Sequence, residues 1–97
     1  MIQSFKNRET EDIFYGRQTK SALKICPLQL WNVAFRKLDQ LDSVVMLDEL
    51  RIPPGNQLEA LVGDRAGQYS IRINRQYRIC FLWASSGPDQ VEITDYH

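Results

Sequence analysis

Five of the chain's eight arginines (Arg51, Arg65, Arg72, Arg75 and Arg78) fall within residues 51–78, a stretch with no lysine and only two acids, Glu59 and Asp64. A guanidinium is a rigid fork of N–H donors that matches phosphate oxygens two at a time, whereas lysine offers a point charge. The chemistry implied is an arginine-lined surface that meets phosphate. The surplus is local. Residues 1–50 carry seven basic and seven acidic side chains, and residues 79–97 carry Asp89, Glu92 and Asp95 with no base, so the last segment can neutralise part of the arginine stretch. Over all 97 residues, 12 Lys+Arg balance 12 Asp+Glu. That balance excludes a polybasic protein held to nucleic acid by bulk charge.

Other chemistries find less support. Cys26 and Cys80 are the only cysteines and His97 the only histidine, with no CxxC and no Cys/His cluster. A metal centre needs three or four such ligands, so no metal is expected. The opening Met1-Ile2-Gln3-Ser4-Phe5-Lys6 lacks the apolar run of a secretory signal. No segment approaches the roughly 20 apolar residues of a membrane span. The expectation is a reduced, soluble, cytoplasmic protein with no membrane contact. With 43% hydrophobic and 25% charged residues, residues 1–97 suit one compact domain with its own core.

The elements that must position the arginines change character along the chain. Ile2 to Phe5 reads as a short strand, and Glu9 to Tyr15 as a short helix with an acidic first turn, closed by Gly16. Arg17 to Lys24 reads as a loop or a frayed helix, expected to be mobile. From Pro27 to Leu41 the period is helical, with Leu30, Trp31, Ala34, Phe35, Leu38 and Leu41 on one stripe, so Trp31 and Phe35 are expected in the core. One further turn is expected around Met46, Leu47 and Leu50 before Pro53-Pro54-Gly55-Asn56. Strands follow at Leu58–Leu61, Tyr69–Ile73, Tyr77–Trp83 and Val91–Tyr96, with Ser85 to Asp89 as a turn. Helices first and a strand meander second give an α+β fold, with the N-terminal helices packed on a twisted antiparallel sheet.

The hairpin between the two central strands sets which side chains share a face. If Asn74, Arg75 and Gln76 form the loop and Ile73 sits opposite Tyr77, then Ile71 faces Ile79 and Tyr69 faces Phe81. A two-residue turn would set Ile71 against Arg78 and mix the faces. The three-residue loop also sets Arg72 across from Arg78, away from the apolar row, where Tyr77 and Trp83 are expected in the core and Cys80 as a small buried hydrophobe. Like charges directly opposite are unfavourable, by about 0.7 kcal/mol at about 6 Å in water. Two readings stand: the side chains splay into solvent, or an anion lies between them.

The run GDRAGQYSIRIN from Gly63 to Asn74, then YRICF from Tyr77 to Phe81, then the closing Asp95-Tyr96-His97, resembles the HigB branch of the RelE/ParE toxin superfamily, over essentially the whole chain. The PPGN-x-LE-x-L-x-G-x-RAGQ pattern of Pro53 to Gln68 adds to the likeness. The resemblance implies a RelE-like fold and a toxin of a type II toxin–antitoxin system, a ribosome-dependent mRNA endonuclease without cofactor. It implies as partners the ribosome and its mRNA, a helix-turn-helix antitoxin (HigA-like), and operator DNA reached only through that antitoxin.

The resemblance also implies roles. Arg78, in the strand YRICF, matches the arginine that stabilises phosphate, and Tyr96 and His97 match the terminal pair placed at the site. Some members carry His and Lys before GDR, where this chain has Glu59 and Val62. Glu59 is able to replace a base or to pair with Arg65 or Arg78; Val62 replaces nothing chemical. Arg65, Arg72 and Arg75 are left as RNA backbone contacts. This poorer set of proton-transfer groups fits a weak, ribosome-assisted nuclease. Two alternatives stay open: a ParE-like gyrase poison on the same fold, and a catalytically weak toxin that acts as corepressor with its antitoxin.

Overall fold

A computed structural model describes residues 1–95. Helix α1 (Arg8–Phe14) starts where Asn7 accepts a hydrogen bond from the Thr10 backbone N–H at 2.9 Å, and Glu9 and Glu11 sit in its first turn. It stops at Gly16, whose φ of +73° suits a residue without a Cβ.

Arg17–Lys24 reads as a loop or a frayed helix, and in the structure Lys20–Ile25 is a capped helix (α2). The reason is tertiary. Asp12, buried at the end of α1, accepts from Arg17 Nη1 at 2.9 Å and from Thr19 Oγ1 at 3.0 Å. Thr19 in turn caps α2 by accepting from the Ala22 N–H, and Ala22 and Cys26 are fully buried. The Arg17 guanidinium beside Asp12 holds its carboxyl below the usual carboxylate range. A depressed carboxylate contributes stability above the ordinary pKa near 4 and loses it as pH falls through the folded value. Acid is therefore expected to lower the urea midpoint more for the wild type than for Asp12→Asn. Equal acid sensitivity of the two would count against this anchoring.

A 3-10 turn (Leu28–Leu30) leads into α3 (Trp31–Ser43). Trp31, Ala34, Leu38 and Leu41 are buried as the stripe requires, and Trp31 Nε1 donates to the Cys26 carbonyl at 2.8 Å. Phe35 departs from it and is 44% exposed. Ala34 and Leu38 already fill the positions that face the sheet, and one residue of helical rotation carries Phe35 out of them. A further 3-10 turn (Leu47–Arg51) precedes Asn56. Asn56 is fully buried, its amide donating to Gln40 Oε1 and the Leu50 carbonyl and its oxygen accepting from Lys37 Nζ.

The sheet has the order β1-β2-β3-β4, antiparallel throughout: β1 (Glu59–Ala60), β2 (Gln68–Arg72), β3 (Tyr77–Ala84) and β4 (Gly87–Asp95). The central hairpin has the three-residue loop, with Tyr69 opposite Phe81, Ile71 opposite Ile79, and Arg72 opposite Arg78. Ile71, Ile73, Ile79, Phe81, Val91 and Ile93 form the core with the helices. Tyr77 and Trp83 lie on that face but are only half-buried. The last turn is shorter than expected: Ser85 and Ser86 alone make it, and Gly87 to Asp89 already belong to β4. Pro88 is tolerated there because β4 is the last strand of the sheet. The expected first strand is reduced to one parallel bridge, Phe5 to Val91, with Gln3 N–H donating to the Pro88 carbonyl at 2.7 Å. Among the described residues no helix is long and apolar enough to cross a membrane.

Candidate phosphate-binding face

Strand alternation places the even-numbered residues of β2 and β3 on the face turned away from the helices. The registers align Glu59, Ser70, Cys80 and Glu92 in one row across all four strands, with Arg72, Arg78 and Thr94 in the next. Arg78 is the centre of this face. It is 8% exposed, and its guanidinium is oriented by two hydrogen bonds, Nε to Ser70 Oγ and Nη2 to the Gln57 carbonyl, both 2.8 Å. Gln57 has a left-handed backbone (φ 46°), uncommon for a residue with a side chain, and it is this residue's carbonyl that Arg78 meets. Glu59 Oε1 lies 4.0 Å from Arg78 Nη2, with its side chain about half exposed.

Arg65 is held differently. Its Nη1 donates to Glu92 Oε1 at 2.7 Å and to Gln68 Oε1 at 3.0 Å, and Lys6 Nζ reaches the same Glu92 oxygen at 3.5 Å. Glu92 is thus an acidic clamp between two cations rather than a partner for Arg78. The Arg72–Arg78 opposition is relieved by divergence: Arg72 Nε turns to the Asn74 carbonyl in the hairpin loop at 2.9 Å, and Arg78 turns towards Gln57. Arg75, in the same loop, is exposed. A row of this kind, with one guanidinium held by hydrogen bonds beside an accessible carboxylate, is able to bind a phosphodiester and accept a proton next to it.

Comparison with known proteins places the chain in a family. The family model described as "RelE-like toxin of type II toxin-antitoxin system HigB" matches residues 3–97. The chain belongs to the HigB-like family of RelE-like toxins. It is 41% identical over 83 residues to a Vibrio cholerae protein named Toxin HigB-1, covering 86% of this chain and 84% of that one. An uncharacterized Haemophilus influenzae protein is 38% identical over 60 residues, 62% of this chain and 59% of that one. Among solved structures, the YoeB–YefM complex from Staphylococcus aureus superposes with a TM-score of 0.55 over 100% of this chain and 95% of that chain; at 20% identity the likeness is one of fold. Toxins of this family are endoribonucleases, and such a toxin pairs with an antitoxin.

In the toxin, Arg78, Glu59, Arg65 and Arg72 share one face, Arg75 lies in the loop at its edge, and Tyr96 and His97 lie outside the described residues. Val62 is 84% exposed, and its backbone carbonyl accepts from the Arg65 N–H at 3.4 Å. Three participants escape the sequence reading. Ser70 and Gln57 orient Arg78, and Lys6 joins Glu92 from 86 residues away. Ser70 alone has a signal, as a lone small polar residue on the arginine side of the alternation. Gln57 acts through its backbone and Lys6 through tertiary placement.

Cys80 is fully buried in the floor of the face, and burial pushes its thiol pKa up, although Arg65 and Arg78 pull the other way. Burial pushes the Cys26 thiol up to about 11. Neither is a thiolate at neutral pH. Both are expected to resist a chromogenic thiol reagent in the native toxin and to react on denaturation. Rapid native labelling of Cys80 would overturn its assignment as packing. Among the described residues no group of three His, Cys, Asp or Glu side chains is placed to hold a metal.

Proposed function

We propose that the toxin cuts mRNA presented in the ribosomal A site, by attack of a ribose 2′-OH on the adjacent phosphate. The 2′-oxygen forms a bond to phosphorus, the bond to the 5′-oxygen breaks, and the products are a 2′,3′-cyclic phosphate and a 5′-hydroxyl. The 2′-OH proton goes to a base and the leaving 5′-oxygen takes one from an acid. Charge on the phosphoryl oxygens rises in the transition state, which is where a fixed guanidinium acts. The observation that carries this reading is Arg78, immobilised by Ser70 and Gln57 with the Glu59 carboxylate 4.0 Å away.

Arg78 stabilises the phosphorane and Glu59 accepts the 2′-OH proton. Tyr96 and His97, which match the family's terminal pair, supply the acid that protonates the leaving oxygen. Arg65, Arg72 and Arg75 contact RNA backbone and position rather than specify. With a near-neutral surface and few proton-transfer groups, the toxin relies on the ribosome to present and shape the message. Its antitoxin is a HigA-like helix-turn-helix protein, and the toxin reaches operator DNA only through it.

The test uses antitoxin-free toxin, programmed ribosomes and end-labelled message. Cuts within the A-site codon, absent on naked RNA and reduced by deletion of His97, are expected. Folded toxin that leaves the message intact sinks the reading. Gyrase-linked DNA breaks would transfer it to a gyrase poison, and growth unaffected by induction would leave it a corepressor.

A further inference from the structure

Gln57, whose carbonyl meets Arg78, is exposed and left-handed (φ 46°, ψ 55°). A residue with a side chain keeps that conformation only where its surroundings over-determine it. Its neighbour Asn56 supplies the constraint. Within residues 51–57 Asn56 alone is buried, and it is fully so. Both ends of its amide are used. Nδ2 donates to Gln40 Oε1 at 3.0 Å and to the Leu50 and Ile52 carbonyls at 3.1 and 3.4 Å, and Oδ1 accepts from Lys37 Nζ. Gln40 Nε2 also donates to the Ile52 carbonyl, at 2.6 Å. Lys37 and Gln40 lie one turn apart on α3, both half-buried beside its apolar stripe.

Burial alone does not call for an amide here, since an apolar group of the same shape can fill such a space at little loss. A polar side chain satisfied at both ends does more: it specifies where the backbone runs. The backbone in question is the 3-10 turn Pro54–Asn56, closed by the Asn56 N–H on the Pro53 carbonyl at 2.9 Å and the Gln57 N–H on the Pro54 carbonyl at 3.1 Å. Directly after it come the two groups that face Arg78 Nη2, the Gln57 carbonyl at 2.8 Å and the Glu59 carboxylate at 4.0 Å. Beyond them β1 pairs Glu59 with Ser70, whose hydroxyl accepts from Arg78 Nε. Gln57 is thus held between a polar anchor on α3 and the sheet.

We infer that Asn56 is a positioning residue for message cleavage. Held by Lys37 and Gln40, it places the Gln57 carbonyl, and through it the Arg78 guanidinium, where charge develops on phosphate. Asn56 itself touches no substrate. This role rests on the reading proposed for Arg78 and carries the site's support from the sheet to a helix on its other face.

Two measurements on the antitoxin-free toxin test it. One is the single-turnover rate on programmed ribosomes. The other is the NMR signal of the Arg78 Nη–H groups, assigned by their loss in Arg78→Ala and resolved only while hydrogen bonds stop the guanidinium from rotating. Asn56→Ala is expected to slow cutting by about 10- to 100-fold at saturating ribosomes, with the half-saturating concentration unchanged, and to merge the Nη–H signals. Added to Arg78→Ala, it is expected to slow cutting by less than about twofold more, because the group it positions is gone. Lys37→Met withdraws the donor to Asn56 Oδ1 and should move rate and signals the same way by less; it serves if circular dichroism shows Asn56→Ala unfolded. A folded variant with wild-type rate and resolved signals overturns the inference. Equal slowing with and without Arg78 does so too, by making Asn56 a general prop of the fold, as does a raised half-saturating concentration at unchanged rate. If Arg78→Ala cuts like wild type, the role of Arg78 fails, and the Nη–H signals still decide whether Asn56 holds its guanidinium.

Discussion

Replacing Arg78 by alanine is expected to slow single-turnover cleavage of ribosome-bound message by about 10²–10³-fold, the loss typical for removing one preorganised donor from a developing oxyanion. The magnitude follows from how the guanidinium is held. Burial to 8% exposure removes much of the competing water, and hydrogen bonds to Ser70 and the Gln57 carbonyl hold its orientation before substrate arrives. The transition state therefore bears little of the ordering cost, unlike a solvent-exposed arginine on a flexible stem. Arg78→Lys is expected to recover only part of the rate, because an ammonium keeps the charge but loses the planar fork. The Ser70 hydroxyl left behind in Arg78→Ala loses its partner, so folding is checked by circular dichroism alongside the rate. A folded Arg78→Ala toxin that cuts within about threefold of wild type would remove Arg78 from the chemistry, since one oxyanion donor is worth far more.

Phe81→Ala is expected to destabilise the fold by about 3–5 kcal/mol, the usual cost of a buried phenylalanine and the cavity it leaves. Phe81 is 1% exposed at the middle of β3, opposite Tyr69, with ring centroids 6.3 Å apart. It is held between strand neighbours on both sides, so the site has little freedom to collapse. For a chain of this size each kcal/mol moves the midpoint by roughly 4–8 °C, which predicts a fall of about 12 °C or more in a thermal melt. Against a typical total of 5–15 kcal/mol, about half the margin is at stake. A fall under about 5 °C would mean that the sheet–helix core is not where the stability resides.

The two residues differ in how far they were legible. Phe81 was placed by alternation, because a strand's period of two and a three-residue loop set Tyr69 against Phe81 and Ile71 against Ile79 on one face. The same register set Arg72 opposite Arg78 and so located the arginine face from the sequence. Its consequence was not legible. Arg78 sits on the side away from the apolar row and is nonetheless buried, because Gln57 and Glu59 fold over it from β1 and the chain before it. Phe35 shows the converse: a helical stripe gives a direction with a width, and only the packed neighbours Ala34 and Leu38 decide which margin faces water. In Arg17–Lys24 weak local propensity gave way to Asp12, whose two side-chain contacts secure a capped helix there.

What the sequence by itself determined was the α+β order, the hairpin register, the concentration of arginine in residues 51–78 and the family likeness. Each depends on periodicity, local charge or motif, which are properties of neighbours along the chain. Only the tertiary structure decided that Glu92 clamps Arg65 and Lys6 while Arg78 turns to Ser70 and Gln57. Lys6 and Glu92 are 86 positions apart, and their pairing follows from the N-terminal segment running beside β4. Pairings of that kind depend on which surfaces the core brings together, and the core is a property of the whole chain.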